Sequence, residues 1–103
     1  MENLNDEQLK SLQKEGLSEL IHILYNIDNE ELLYKCFECL FTPPELEDLG
    51  KRWLLVKEID KGTPQREIAQ KFHMSLCKIT RGSKELKKSQ SAFNKMLEIA
   101  KES

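Results

Sequence analysis

The sequence predicts an all-α fold of six helices. Only 4 Gly and 3 Pro occur in 103 residues, and no segment alternates apolar and polar residues between turn signals as a strand would. Apolar residues instead recur at helical separations, for example at Leu9, Leu12, Leu20 and Leu24. A chain of this length can form one core of modest size.

Two N-terminal helices are predicted, over residues 5–27 and 29–40. Asp28 with Glu31 three residues later forms a capping box that would open the second one. That helix is apolar on several sides, at Leu32, Leu33, Tyr34, Cys36, Phe37, Cys39 and Leu40. So short and apolar a helix needs burial between partners, and one chain of this size has too little surface to cover it.

Four more helices follow, and Pro and Gly mark where they begin and end. "TPPE" predicts Thr42 as the N-cap and Pro43 as the first residue of a helix that ends before Gly62. A second "TP", at residues 63–64, opens a short helix that ends near residue 72. Ser75 caps a helix over residues 75–88, and the last helix covers residues 91–101.

The charge is distributed unevenly along the chain. Residues 1–50 hold 3 Lys and 12 Asp or Glu, a net charge of −9, whereas residues 51–103 hold 13 Lys or Arg and 6 acids, a net charge of +7. This asymmetry indicates that the C-terminal half faces a polyanion such as DNA. The alternative is that the two halves neutralise each other, within a chain or across a dimer.

The composition also predicts where the protein is located. No apolar run is long enough to span a membrane, and the start "MENLNDEQLK" is polar and acidic, unlike a secretory signal. We expect a cytoplasmic protein without a membrane partner, whose three cysteines are reduced.

The helix over residues 75–88 is basic and carries a glycine near its middle. It has five cations, Lys78, Arg81, Lys84, Lys87 and Lys88, against the single acid Glu85. Gly82 costs about 1 kcal/mol relative to alanine in a helix, so its presence requires a structural or functional reason.

The segment "QREIAQKFHMSLCKIT", residues 65–80, predicts a helix-turn-helix motif. Ala69 would allow the two helices to cross closely, and the inward face would be formed by Ile68, Phe72, Met74 and Ile79. His73 departs from the pattern, because the turn usually has glycine there. The alternative is an ordinary helical hairpin within a bundle.

The motifs "FTPPELEDLGKR", "QREIA" and "ITRGSKELK" occur in the order found in the bacterial tryptophan repressor family, which the chain resembles from about residue 41 to residue 97. The resemblance implies an intertwined homodimer with a single domain in each chain. Its parts would be dimerisation helices (1–41), a core helix (42–62), the helix-turn-helix (63–88) and a C-terminal dimerisation helix (89–103). The connection before Gln65 is one residue shorter than in the family.

The resemblance also implies L-tryptophan as a corepressor ligand, with its indole ring between the guanidinium groups of Arg52 and Arg81. Arginine can both stack on an aromatic face and pair with a carboxylate. Arg81 and the Thr42 hydroxyl would receive the ligand carboxylate. The backbone carbonyls of Cys39 and Phe41, from the other subunit, would receive its ammonium.

The resemblance adds two further positions of the helix over residues 75–88 to the ligand site, Gly82 and Glu85. Gly82 would lie against the ligand, where a side chain would collide with it. Glu85 stands where the family has a serine that helps to hold the ammonium, so it could bind the ammonium more strongly or repel the ligand carboxylate.

The family's operator-binding residues correspond to exposed positions of the predicted helix-turn-helix and of the core helix. The resemblance places Leu76, Cys77 and Thr80 at the base-facing start of the recognition helix, Gln65 and Arg66 on the first helix, and Lys51, Lys78 and Lys84 at phosphates. Phosphate contacts position a protein on double-stranded DNA, and base contacts specify the sequence. Ala69 replaces a basic family residue, which removes one phosphate contact.

Other functions are weaker interpretations. Cys36, Cys39, His73 and Cys77 could form a zinc site, but reduced cysteines in an apolar helix are more often buried in a core, and we expect no metal. No grouping of residues suggests an enzyme. The alternatives to a ligand-controlled repressor are a related DNA-binding protein without amino-acid control and a helical dimerisation or adaptor module.

Overall fold

The structure is a computed structural model that describes residues 3–88 and 91–102. Within these residues it contains six helices and no strand, as the sequence predicts. They are α1 (Asp6–Tyr25), α2 (Glu30–Leu40), α3 (Pro43–Lys61), α4 (Gln65–Phe72), α5 (Leu76–Lys87) and α6 (Ala92–Glu102). The chain divides into two compact units, Met1–Thr42 and Pro43–Ser103.

In the N-terminal unit, the N-cap of each helix is an asparagine. The Asn5 side chain accepts a hydrogen bond from the Gln8 backbone N–H at 2.8 Å, and the Gln8 side chain accepts one from the Asn5 N–H at 3.0 Å. This reciprocal pair is a capping box. Helix α2 is capped by Asn29, whose side chain accepts from the Leu32 N–H at 3.0 Å. The prediction that Asp28 caps this helix was therefore wrong by one residue.

Neither α1 nor α2 contains a buried residue. Many of their large apolar side chains are exposed instead, including Leu9, Leu12, Leu17, Ile21, Ile23, Leu32, Tyr34 and Leu40. Leu17 is 58% exposed and Ile21 is 57% exposed, although both lie on the apolar side of a regular helix. An apolar surface of this extent marks an interaction site.

In the C-terminal unit, α3 begins at Pro43 and is followed by Gly62, whose φ of 86° lies in the left-handed region. A glycine adopts that conformation without steric cost, as predicted for a helix end. Pro64 is the N-cap of α4 rather than its first residue, and it supplies no side-chain cap. The hydroxyl of Thr63 donates instead to the Glu58 carboxylate at 2.8 Å.

The core of the C-terminal unit forms where α3, α4 and α5 pack together. Leu55, Ile68 and Ile79 are buried at its centre. Ile59, Ala69, Phe72 and Met74 pack around them. The four side chains that the sequence pattern places on the inner face, Ile68, Phe72, Met74 and Ile79, all belong to this core.

A tight turn joins α4 to α5. His73 has φ 54° and ψ 48°, which is the left-handed conformation, and the Met74 N–H donates to the Ala69 carbonyl at 3.1 Å. Histidine tolerates this region better than most residues but still has a Cβ penalty that glycine lacks. Helix α5 then begins after Ser75, whose hydroxyl accepts from the Lys78 N–H at 3.3 Å.

Helix α6 completes this unit by packing against α5. The Asn94 side chain donates to the Leu86 carbonyl at 3.4 Å and to the Lys88 carbonyl at 3.3 Å, so it satisfies groups at the end of α5. The predicted boundary at residue 89 lies outside the described residues. Among the helices described, none combines the length and apolar character that a membrane span requires.

Candidate functional site

A pocket of about 420 Å³ opens on the C-terminal unit beside α3 and α5. Leu55 and Val56 of α3 contribute buried side chains to its lining, and Met74 and Phe93 contribute half-buried ones. Ligand pockets are commonly lined by apolar groups with a few polar groups that orient the ligand. The apolar part of this lining suits an apolar ligand group.

The polar part of the pocket lining contains three cations, Arg52, Lys78 and Arg81. Arg52 forms an exposed ion pair with Asp48, one turn earlier on α3, with 3.8 Å between Nη2 and Oδ2. Such a surface pair contributes little free energy, so it does not hold the Arg52 guanidinium firmly in place. Lys78 also lines the pocket, although the resemblance places it at a DNA phosphate.

Glu85 is the one acid among the residues that line this pocket. Its Oε2 accepts a hydrogen bond from Lys88 Nζ at 2.9 Å, and its side chain is 46% exposed. Lys88 lies three residues later and is 68% exposed, so this too is a surface pair. The pocket therefore presents both signs of charge above an apolar lining.

Gly82 lines the pocket, and a side chain added to it would also meet α3. A Cβ at Gly82 would lie 3.3 Å from Leu55 Cδ2 and 3.5 Å from Ile59 Cδ1. Both atoms belong to α3, so the glycine permits close approach of α5 to α3. The expectation that a side chain at this position would also collide with a ligand stays a prediction.

The structure thus brings together four of the seven residues assigned to ligand binding, Arg52, Arg81, Gly82 and Glu85. The other three, Cys39, Phe41 and Thr42, belong to the N-terminal unit. Phe41 follows α2, and its ring lies 5.5 Å from that of Phe37. The contribution of these three residues to a ligand site stays a prediction.

The residues assigned to DNA lie on α3, α4 and α5, and every one of them is exposed: Lys51, Gln65, Arg66, Leu76, Cys77, Lys78, Thr80 and Lys84. The Thr80 hydroxyl donates to the Gln65 side-chain carbonyl at 3.4 Å, which links the start of α4 to α5. Lys84 and Arg66 form no ion pair within the part of the chain that the structure describes. Their charges are available to a polyanion.

A buried carboxylate on α3, which no sequence pattern indicated, holds α4 and the segment before it. Glu58 is only 8% exposed and accepts hydrogen bonds from Lys71 Nζ at 2.9 Å and from the Thr63 hydroxyl at 2.8 Å. The bond from Lys71, and then that from Thr63, lowers the pKa of Glu58 below its ordinary value of 4.5. A Glu in the last turn of α3 gave no local signal of this role, since Lys71 is thirteen residues away.

The cysteines and histidines do not form a recognisable metal site. Cys36, Cys39 and Cys77 are free thiols. Residues 3–88 and 91–102 contain no group of three or more His, Cys, Asp or Glu side chains able to hold one ion.

Comparison with known proteins shows similarity to one family. The family model of the Trp repressor protein matches residues 15–101. The chain is 29% identical over 91 residues to the Trp operon repressor homolog of Chlamydia trachomatis serovar L2, an alignment that covers 87% of this chain and 97% of the relative. It is 35% identical over 75 residues to the homolog of Xylella fastidiosa strain M23, which covers 72% and 82% of the two chains. The homolog of Chlamydia caviae is 32% identical over 83 residues, covering 80% and 82%. No solved structure is a significant match.

Proposed function

Since the chain belongs to the Trp repressor family, we propose that it is a ligand-dependent transcriptional repressor. In this proposal the protein binds L-tryptophan as its corepressor. As a homodimer, it then binds a two-fold operator in double-stranded DNA and represses tryptophan-related genes.

One observation carries the ligand part of the proposal. Arg52 and Arg81, on two different helices, line the same pocket with Gly82 and the apolar side chains of Leu55 and Phe93. Guanidinium groups stack on aromatic faces and form paired hydrogen bonds with carboxylates. An aromatic amino acid offers both groups in one small molecule, and the apolar lining suits its ring.

The position of the pocket supports control of DNA binding by the ligand. Helix α5 supplies Lys78, Arg81, Gly82 and Glu85 to the pocket lining, and the same helix presents Thr80 on its exposed side. A ligand that contacts α5 can therefore favour one orientation of the helix over others. Because coupling between two sites is reciprocal, DNA should also strengthen ligand binding.

The exposed apolar side chains of the N-terminal helices support the homodimer. Helices α1 and α2 bury none of their residues within the chain, and Leu17, Ile21 and Tyr34 are each more than half exposed. Two copies of the same surface can cover one another about a two-fold axis. A two-fold protein in turn matches a two-fold operator.

The decisive experiment is a DNA titration with and without L-tryptophan. Random double-stranded DNA is first selected for binding in the presence of tryptophan, and the enriched sequence is then titrated by fluorescence anisotropy at fixed salt. We expect tryptophan to increase the affinity for that sequence by about 5- to 150-fold, the usual range of coupling between sites. Scrambled DNA should bind weakly and show no tryptophan effect.

Each alternative function predicts a different result. A DNA-binding protein without amino-acid control would bind an enriched sequence equally well with and without tryptophan. A dimerisation or adaptor module would enrich no sequence. Either result would contradict the proposed function.

A further inference from the structure

Helix α4 is short and has no side-chain cap at its N-terminus. It runs only from Gln65 to Phe72, and Pro64 at its N-cap supplies no side-chain hydrogen bond. A helix of about two turns is not stable by itself, so its position depends on contacts with the rest of the fold. Ile68 and Phe72 contribute apolar contacts with the core. Apolar attraction is not directional, so these contacts leave the angle of the helix weakly defined.

The carboxylate of Glu58 supplies directional contacts at both ends of α4. Its Oε1 accepts a hydrogen bond from Lys71 Nζ at 2.9 Å, near the end of the helix. Its Oε2 accepts one from the Thr63 hydroxyl at 2.8 Å, two residues before the helix begins. The Thr63 backbone N–H also donates to the Glu58 carbonyl at 3.1 Å. Two attachment points define the angle of a short helix, whereas a single one would leave it free to pivot.

The burial of Glu58 makes these two attachments difficult to release. The Glu58 side chain is 11% exposed, whereas that of Lys71 is 59% exposed. A released lysine would return to water, but the carboxylate would remain where water hardly reaches it. An unpaired charge in such a place is strongly unfavourable. Glu58 therefore retains Lys71 more firmly than an exposed acid would.

Lys71 lies on a different side of α4 from the two residues that are predicted to contact DNA. Each residue turns an α-helix by about 100°, so Lys71 lies about 120° from Gln65 and about 140° from Arg66 around the helix axis. Its Nζ is bound to Glu58 of α3. Any effect of Lys71 on Gln65 and Arg66 is therefore transmitted through the position of the helix.

We propose that Lys71 and Thr63, both held by Glu58, are positioning residues for operator recognition. They fix the angle at which α4 presents Gln65 and Arg66 to the base pairs, without contacting the DNA themselves. This inference deepens the proposed function and rests on it. Base contacts require a fixed geometry, whereas phosphate contacts tolerate small displacements, so the loss of these positioning residues should reduce sequence-specific binding selectively.

The test uses two variants that each release one end of α4. Lys71→Met keeps the aliphatic stem of the side chain but removes its donor and its charge. Thr63→Val removes the other donor without any change of charge. Lys71→Arg, which keeps both donor and charge, should restore parent behaviour. Lys95→Met is the matched control, because Lys95 also pairs with a glutamate, at 3.3 Å from Glu98 Oε2, but lies on α6.

Three quantities are measured for each protein. Fluorescence anisotropy gives the affinity for the sequence enriched in the presence of tryptophan and for scrambled DNA, and a salt titration gives the slope of log K against log salt. Calorimetry without DNA gives the Kd for L-tryptophan. The ligand pocket is lined by residues of α3, α5 and α6 and by Met74, so a displaced α4 should leave this Kd unchanged. A general loss of structure would raise it.

We expect Lys71→Met and Thr63→Val to bind the enriched sequence about fivefold or more weakly, the loss expected when one base contact is misplaced. Their affinity for scrambled DNA, their salt slope and their Kd for tryptophan should equal those of the parent protein. Lys71→Arg and Lys95→Met should match the parent protein in all three measurements.

Three results would overturn this inference and leave the proposed function intact. The first is parent-like affinity for the enriched sequence in both Lys71→Met and Thr63→Val. The second is an equal loss on scrambled DNA in Lys71→Met with a slope reduced by about one per protomer, which would make Lys71 a phosphate contact. The third is a parallel loss of tryptophan binding in both variants. If the parent protein enriched no DNA sequence, the proposed function itself would be wrong.

Discussion

The Glu58 carboxylate on α3 accepts a hydrogen bond from Lys71 Nζ on α4, with 2.9 Å between the two atoms. The same carboxylate accepts a second bond from Thr63, in the segment that joins the two helices. One buried side chain therefore fixes both where α4 begins and how it packs on α3. The orientation of α4 matters because it carries two predicted DNA-contacting residues, Gln65 and Arg66.

We predict that Glu58→Gln destabilises the protein near neutral pH and that the difference disappears in acid. The pKa of Glu58 is lower in the folded protein than its ordinary value, so ionisation favours the folded state. This contribution is complete above about pH 4.5 and is lost as the pH falls through the folded-state pKa. Thermal unfolding from pH 3 to pH 8 measures it. The control is Glu67→Gln, at an exposed position of α4. A difference in stability between Glu58→Gln and the parent protein that did not change with pH would contradict the prediction.

The packing of Gly82 against α3 predicts different effects for the same substitution at two glycines. Gly50→Ala should raise stability by up to about 1 kcal/mol, because a Cβ there has no neighbour within 4 Å. Gly82→Ala should raise stability by less than Gly50→Ala does, or lower it, because the added Cβ would lie 3.3 Å from Leu55 Cδ2. Gly82→Val should lose about 1–3 kcal/mol through overpacking. Urea unfolding measures the free energy of unfolding of the three variants. Equal increases in stability for both alanine variants would refute the close approach of α5 to α3.

The left-handed conformation of His73 predicts that glycine is the better residue in this turn. His73→Gly should raise stability by up to about 1 kcal/mol, because it removes the steric penalty of a Cβ at φ 54°. His73→Val should lower it, since a β-branched residue is especially unfavourable at positive φ. Thermal unfolding measures both. A loss of stability in His73→Gly would mean that the histidine side chain makes a contact stronger than the backbone penalty.

The exposed cation Lys84 should contribute to binding DNA of any sequence, because it is predicted to contact a phosphate. Lys84→Ala is expected to weaken binding to specific and scrambled DNA alike and to reduce the slope of log K against log salt by about one per protomer. Lys95→Ala, on α6 and already paired with Glu98, should leave the slope unchanged. Thr80→Ala should instead alter sequence preference. A uniform loss in both Lys84→Ala and Thr80→Ala would show that these two roles are wrongly assigned.

The apolar surface of the N-terminal helices predicts that folding and dimerisation are linked. If two copies bury Leu17, Ile21 and their neighbours together, the melting temperature should rise with protein concentration. Calorimetry over a hundredfold concentration range, with sedimentation equilibrium for the mass, tests this. A monomer mass together with a constant melting temperature would exclude the homodimer.

Most of the secondary structure could be predicted from sequence because the signals that begin and end helices are local. Ser75 caps α5 through its neighbour Lys78, and Gly62 ends α3 by adopting a positive φ. The inward set of α4 and α5, such as Ile68 and Ile79, follows from helical periodicity. Each of these properties depends on residues within one or two helical turns.

Sequence does not identify the N-cap of a helix where neighbouring residues both have side chains that could accept the capping hydrogen bond. Asp28 and Asn29 both have a side chain suitable for an N-cap, and the structure uses the second. Thr63 could have capped α4, but its hydroxyl donates to Glu58 instead. Sequence alone does not rank such competing hydrogen bonds, because their free energies depend on which partner the fold brings within reach.

Sequence by itself determined the six helices and the inner face of α4 and α5, whereas the pairing of Arg52 with Arg81 came from the family resemblance. Only the tertiary structure decided that Gly82 faces Leu55 and that Glu58 is buried against Lys71. Both relationships join residues on different helices, and a helical pattern shows which residues share a face but not which helix packs against that face. That choice is made by the packing of the whole core, where the free energy of burial is summed over all the helices at once.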